Sequence, residues 1–282
     1  MPDLATVHVL RVPPVVHVGE GAYRITATET ARLGVQRVLV VTDRVVGQLT
    51  ETQEIVADLR QAGLDVAVFD DVPGEPTTGE VETGLAALGK QQAEAVVAVG
   101  GGSVIDTAKA IAIMARNPGR IADYAGTDRF PFGRLPLVAV ATTAGTGSEV
   151  TRFTVITDPA TNVKMLITDA KLIPDVAVAD PLLTLGCPPR VTAATGLDAL
   201  THAIEAYVSR RANPTSDLFA LAALQLIGPH LERAWRDGAD RAARAAMMRG
   251  ALYAGIAFSN ASVALVHGMS RPIGAYFHVA HG

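Results

Sequence analysis

AEAVVAVGGGSVIDTAKAIAIMARN (residues 93–117) decides the fold class. Its first part, AEAVVAVG (93–100), is a near-continuous apolar run, as expected of a strand buried on both faces. VIDTAKAIAIMARN (104–117) follows with helical periodicity until Pro118 stops it. A strand that turns through glycines into a helix is half of a βαβ unit. Working outward, VQRVLVVTD (35–43), LDVAVFDDV (64–72), LPLVAVATT (135–143) and PDVAVADP (174–181) read as further buried strands. TQEIVADLRQAG (52–63) and TTGEVETGLAALGK (77–90) read as helices between them. The alternation predicts right-handed crossovers and a parallel sheet with helices on both faces. FTVITDPATNVKMLIT (153–168) breaks the pattern and predicts a hairpin around an Asp-Pro turn.

After LGCPPR (185–190) the period changes to helical throughout, with helices expected at 191–209, about 214–233, about 239–258 and about 263–277. The expected organisation is an α/β domain over residues 1–185 and an all-α domain over 186–282. The chain of 282 residues is long enough for both. A net charge of −4 gives no basic surface for nucleic acid or an anionic membrane. No apolar run reaches the ~20 residues of a membrane span. MPDLATVHVLRVPP lacks the basic and long apolar regions of a signal peptide, and a lone cysteine, Cys187, fits a reducing compartment. A cytoplasmic location is expected. The chain stops at His281-Gly282, just after a chemically interesting histidine, so the helical domain is expected to be incomplete.

That histidine belongs to a pattern. In GLDALTHAIEAYVS, Asp198 and His202 are four residues apart and interrupt an apolar, helical stretch. The spacing places both on one helix face, where an unpartnered carboxylate would be costly to bury. Taken alone, such a pair is more often surface decoration. His267 and His281 follow in VHGMSRPIGAYFHVAHG. One carboxylate and three imidazoles form a donor set for a divalent first-row metal such as Fe²⁺ or Zn²⁺.

Two loops offer a second chemistry. Gly100-Gly101-Gly102-Ser103 lies between strand and helix, where glycines admit an anion to the helix amides. The same residues also suit a tight turn capped by Ser103 with Asp106 in the first turn. Asp43 ends a strand, where a carboxylate can accept from a ribose hydroxyl or simply cap the next turn. ATTAGTGSEVT (141–151) carries hydroxyls at Thr142, Thr143, Thr146 and Ser148 that suit either a cofactor or a helix start, and Lys164 suits a phosphate or solvent.

GGGSVIDTAKA, TTAGTGSEVT, TGLDALTHAIEAYVS and HGMSRPIGAYFHVAHG, in this order, resemble the iron-containing (group III) alcohol dehydrogenases over about residues 10–282. The resemblance implies an N-terminal Rossmann-like domain and an all-α C-terminal domain, a dehydroquinate synthase-like architecture with the active site in the cleft between them. It implies a catalytic metal, Fe²⁺ or else Zn²⁺, on Asp198, His202, His267 and His281. It implies NAD, in preference to NADP, held by Asp43, Gly100, Gly101, Gly102, Ser103, Asp106, Thr142, Thr143, Ser148, Val155 and Lys164. The implied reaction is hydride transfer between an alcohol and nicotinamide with the metal as Lewis acid, and the implied partners are a small alcohol or aldehyde and a second copy of the chain. The N-terminal strands, about 7–18, would supply a pairing edge. An apolar pocket is expected from Phe258, Tyr276 and Phe277.

Two positions depart from the family. Arg271 stands where many members have a proton-relaying histidine, leaving water, ribose hydroxyls or His278 for that task. The loop 73–76 reads PGEP, with Glu75 where relatives often have asparagine. Three alternatives stay open. A maleylacetate reductase works without metal, which the intact donor set disfavours. A dehydroquinate synthase needs phosphate-binding basic residues that 191–282 lacks around the donor set. The last is an inactive, truncated NAD-binding module.

Overall fold

Runs of Val, Leu and Ala become strands here because branched and small side chains fill a sheet covered on both faces. The computed structural model describes residues 6–277 and 281, with backbone only for 271, 272 and 274–277. In chain order the elements are β1 (Val15–Val18), α1 (Thr26–Arg32), β2 (Arg37–Val41), α2 (Thr50–Gln61), β3 (Asp65–Phe69), α3 (Thr78–Gln91), β4 (Ala95–Gly100) and α4 (Gly102–Met114). There follow β5 (Gly126–Thr127), β6 (Leu137–Ala141), β7 (Phe153–Asp158), β8 (Val163–Thr168) and β9 (Val176–Ala179). The helical end comprises α5 (Pro189–Val208), α6 (Pro214–Arg236), α7 (Arg241–Ala261) and α8 (Leu265–Phe277).

The α/β unit comprises Pro13–Thr142 and Arg152–Asp180. Its main sheet has six strands in the order β1-β9-β6-β4-β2-β3. Every neighbouring pair is parallel, for instance Val38 opposite Ala95 and Val97 opposite Val138. Val38–Val41, Ala95–Val99 and Leu137–Val140 are wholly inaccessible to solvent, as a two-sided cover requires. From β2 the chain moves to β3 on one side, then to β4 on the other. That reversal opens a crevice at the carboxyl ends of β2 and β4, the place where open α/β sheets bind ligands. Asp43 follows β2, and Gly101 follows β4.

The expected hairpin is β7 and β8, antiparallel from Phe153 opposite Thr168 to Asp158 opposite Val163. With β5 it makes a separate three-stranded sheet. A small core of Ile113, Tyr124, Phe130, Ile156, Ile167 and their neighbours lies beneath it.

The helical unit runs from Pro181 onward and also takes in the N-terminal stretch up to Val12 and the loop Thr143–Thr151. The two compact units therefore interleave in sequence, where a single cut after residue 185 was expected. Thr143–Thr151 belongs with the helices because its glycines fit tightly against them. A Cβ on Gly145 would stand 2.5 Å from that of Thr195 on α5, and one on Gly147 would stand 2.5 Å from the Gly255 Cα on α7. Alanines keep α5, α6 and α7 close: Ala199, Ala203, Ala223, Ala243, Ala251 and Ala254 are buried together with Ile227 and Met247. Asn213 starts α6, its Oδ1 accepting from the amides of Thr215 (3.2 Å) and Ser216 (3.1 Å) with Pro214 at the first position.

Two N-terminal features differ from expectation. Only Val15–Val18 of the region 7–18 forms a strand, added in parallel beside β9 at the sheet edge. Helix α1 has no clear signal in the sequence, since TATETAR carries many threonines. No helix among the described residues is long and apolar enough to cross a membrane.

Candidate metal centre and cofactor loop

Helix α5 has two buried stripes. Ala199, Ala203 and Ala206 form one, fully buried. Asp198, His202 and Glu205 form the other, also buried, at helical spacings of four and three residues. Opposite this polar stripe stands His267, in the first turn of α8, and His281 completes the group.

Asp198 is the hub. Its Oδ1 lies 3.4 Å from Nε2 of His267, 3.7 Å from Nε2 of His202 and 3.8 Å from Nε2 of His281. Ligand atoms of Asp198, His267 and His281 all lie within 4.8 Å of one another. His202 stands outside that mutual group. Its ring is instead sandwiched between Phe258, with centroids 4.1 Å apart, and His267, with centroids 4.4 Å apart. The rings of His267 and His281 meet edge to face at 5.3 Å.

The electrostatics suit a cation. Burial raises the Asp198 carboxyl, but the imidazoles of His202, His267 and His281 outweigh it and hold the group below the usual carboxylate range. Burial pushes His202 down to about 4, so its ring is neutral, the form that ligates a metal. His267 is opposed by burial too, yet the carboxylates of Asp198 and Glu205 draw it upward. Two buried ring nitrogens, His202 Nδ1 and His267 Nε2, have no hydrogen-bond partner. An unmet buried polar atom costs about 1–3 kcal/mol. A divalent cation beside Asp198 would give His267 Nε2 its missing partner, so the donors present fit the group that the chemistry suggests.

Glu205 was not singled out in the sequence, and it is closely engaged. Its Oε2 accepts from His267 Nδ1 at 2.5 Å, and its Oε1 accepts from the Val266 amide at 2.6 Å. The signal was there: a third acidic or basic group on the same face of an apolar helix, three residues after His202. Of the expected pocket residues, Phe258 is the buried ring on His202. The side chains of Arg271, Tyr276 and Phe277, and His278 altogether, lie outside the described residues.

At the cofactor loop, Gly101 rather than Ser103 is the N-cap of α4, and no side chain caps the helix start. The alternative reading of this loop, a Ser103 cap with Asp106 in the first turn, is therefore not what the structure has. Asp106 ties α4 to β7 instead: its Oδ2 accepts from the Val155 amide at 2.8 Å, and its carbonyl accepts from the Thr154 hydroxyl at 2.9 Å. Gly100 has no room for a side chain, since a Cβ would fall 2.5 Å from that of Val104. The Asp43 Oδ1 accepts from the amides of Val45 and Val46, both at 2.8 Å, so the turn-capping role is real. Lys164 is paired with Glu75 of the PGEP loop rather than solvated. Thr142 donates its amide to the Gly100 carbonyl at 3.0 Å and so joins the ends of β4 and β6. Thr143 and Ser148 belong to the helical unit, where the Ser148 amide donates to the Thr146 hydroxyl at 3.2 Å.

Comparison with known proteins agrees with this geometry. The model for iron-containing alcohol dehydrogenases matches residues 13–181, and that for the C-terminal part of the Fe-containing alcohol dehydrogenase family matches residues 192–282. The chain belongs to the iron-containing alcohol dehydrogenase family. It is 44% identical to alcohol dehydrogenase 4 of Saccharomyces cerevisiae, over 96% of this chain and 71% of the yeast protein. It is 42% identical to the NAD-dependent methanol dehydrogenase of Bacillus methanolicus, with the same coverage of 96% and 71%. Among solved structures, a 1,3-propanediol oxidoreductase superposes with a TM-score of 0.95 at 40% identity, over 98% of this chain and 72% of that one.

Proposed function

We propose that this chain is an NAD-linked, Fe²⁺-dependent alcohol dehydrogenase that interconverts a small alcohol and its aldehyde or ketone. The observation that carries the reading is the convergence of three imidazoles on one buried carboxylate, with His267 Nε2 at ion-pair distance, 3.4 Å, from Asp198 but without a well-formed hydrogen bond. When bound, the iron supplies Lewis acidity at the alcohol oxygen and NAD supplies the hydride acceptor.

The residues have separable tasks. Asp198, His202, His267 and His281 would hold the metal, Zn²⁺ being the other ion such a donor set accepts. Phe258 stacks on His202, keeps its ring in one orientation and excludes water from one side of it. In the α/β part, Gly100, Gly101, Gly102 and Ser103 let the pyrophosphate approach the uncapped start of α4. Asp43 uses Oδ1 to hold its turn and has Oδ2 for a ribose hydroxyl, where a carboxylate disfavours the extra phosphate of NADP. Asp106 and Val155, bonded to each other, fix the wall beside that loop. Thr142 and the Glu75-paired Lys164 complete the cofactor contacts of that unit, while Thr143 and Ser148 lie in the helical unit. The open edge of β1 suits pairing between two copies as a homodimer, and the lone cysteine suits the cytoplasm.

The test is Asp198→Asn, assayed for NAD reduction with a series of primary alcohols and, separately, for bound iron. Loss of both, with NAD still binding, is the expected result. Unchanged alcohol oxidation and metal content would refute the ligand assignment.

A further inference from the structure

We infer that Glu205 is a positioning residue of the metal centre: through the bond from His267 Nδ1 it fixes the ring tautomer and aims Nε2 at the ion site. The inference rests on the metal reading above and adds a residue to it. Glu205 is buried, with only 4% of its side chain exposed, on the same stripe of α5 as Asp198 and His202. A carboxylate in such a place needs several donors to offset its lost hydration. It has them: the Val266 amide at 2.6 Å, the His267 amide at 3.4 Å and His267 Nδ1 at 2.5 Å.

The consequence follows from the chemistry of imidazole. An ionised carboxylate only accepts, so Nδ1 must carry the hydrogen, and in the neutral ring the lone pair is left on Nε2. Nε2 is the atom that faces Asp198 Oδ1 at 3.4 Å with no hydrogen bond of its own. Glu205 thus presents a ligating atom to the place an ion would occupy beside Asp198, and it raises the basicity of the ring at the same time. The competing account is purely structural: the same carboxylate accepts from first-turn amides of α8 and would serve as a helix cap from another helix. A cap accounts for the amide bonds but not for the bond to Nδ1.

Co²⁺ titration of the purified chain under anaerobic conditions separates the two, because Co²⁺ reports its ligand field in its visible absorption. Glu205→Gln keeps the shape but puts an NH₂ where one acceptor oxygen stood. The expected result is Co²⁺ binding weakened about 10–100-fold, with an altered absorption band and unchanged far-UV dichroism. In a His267→Ala background, Glu205→Gln should weaken binding little further. Co²⁺ affinity and spectrum equal to wild type, or an equal loss in both backgrounds, overturns the positioning role. A wild-type chain that binds no Co²⁺ overturns the metal centre itself, a separable outcome. A direct reading needs no variant. In the Zn²⁺-loaded wild type, ¹⁵N spectra should place the His267 proton on Nδ1 and the metal on Nε2, and the reverse arrangement refutes the inference.

Discussion

Around Gly100 the important atoms are backbone: β4 passes into α4 with no side-chain cap, and Gly100 cannot carry a Cβ because Val104 already fills that space. Around Asp198 the important atoms are side chains, held by α5 and α8 and by residue 281, on a helix whose other buried stripe is alanine. The two regions solve opposite problems. The glycine loop has to expose amides that a side chain would cover. The candidate metal centre has to bury a carboxylate and imidazoles that water would otherwise solvate, and it offsets part of that cost through the ion pairs of Asp198 and the Glu205–His267 bond. On this reading the proposed anion site tolerates little added bulk, whereas the proposed metal site tolerates no lost donor.

Variants can break this contrast, from the largest expected effect to the smallest. Replacing His281 by alanine removes a proposed ligand while leaving the helix core untouched. Metal affinity, measured by competition with a chelator, should fall by more than the roughly 10–100-fold typical of indirect partners. Gly100→Ala tests the other side, and its Cβ, 2.5 Å from that of Val104, should lower stability by about 1–3 kcal/mol in a urea titration and weaken NAD binding, while iron content stays at the wild-type level. Asp43→Ala removes a turn cap with two amide bonds. A loss of about 1 kcal/mol is expected, together with a smaller preference for NAD over NADP in steady-state assays. Ser103→Ala should be nearly silent, within about 0.5 kcal/mol, because that hydroxyl caps nothing. A large stability loss there would mean that the loop depends on side chains after all.

The contrast also explains what could be read in the sequence. Strands β2, β4, β6 and β9 were legible because each is a Val- and Ala-rich run buried on both faces, and the β7–β8 hairpin showed in its Asp-Pro turn. Strand β1 was legible only as part of a longer stretch, about 7–18, because VVHV is four residues long, partly exposed and fixed only by β9, more than 150 residues later in the chain. The attachment of Thr143–Thr151 to the helices was hidden because glycine gives no hint of what it packs against, and Thr195 and Gly255 are distant in sequence. Within the metal centre, Asp198 and His202 stood out as polar breaks in an apolar helix. Glu205 was passed over although it continues that stripe, since its partner, His267, lies 62 residues further on. The stacking of His202 on Phe258 depends on α7 meeting α5, a tertiary fact that no local pattern encodes.

The most direct measurement is the ratio of metal to protein after anaerobic purification with added Fe²⁺, made on wild type and Asp198→Asn together. The account predicts one iron per wild-type chain and none in the variant, both folded by circular dichroism. Wild-type protein that is folded but metal-free, or a variant that keeps its iron, would contradict it.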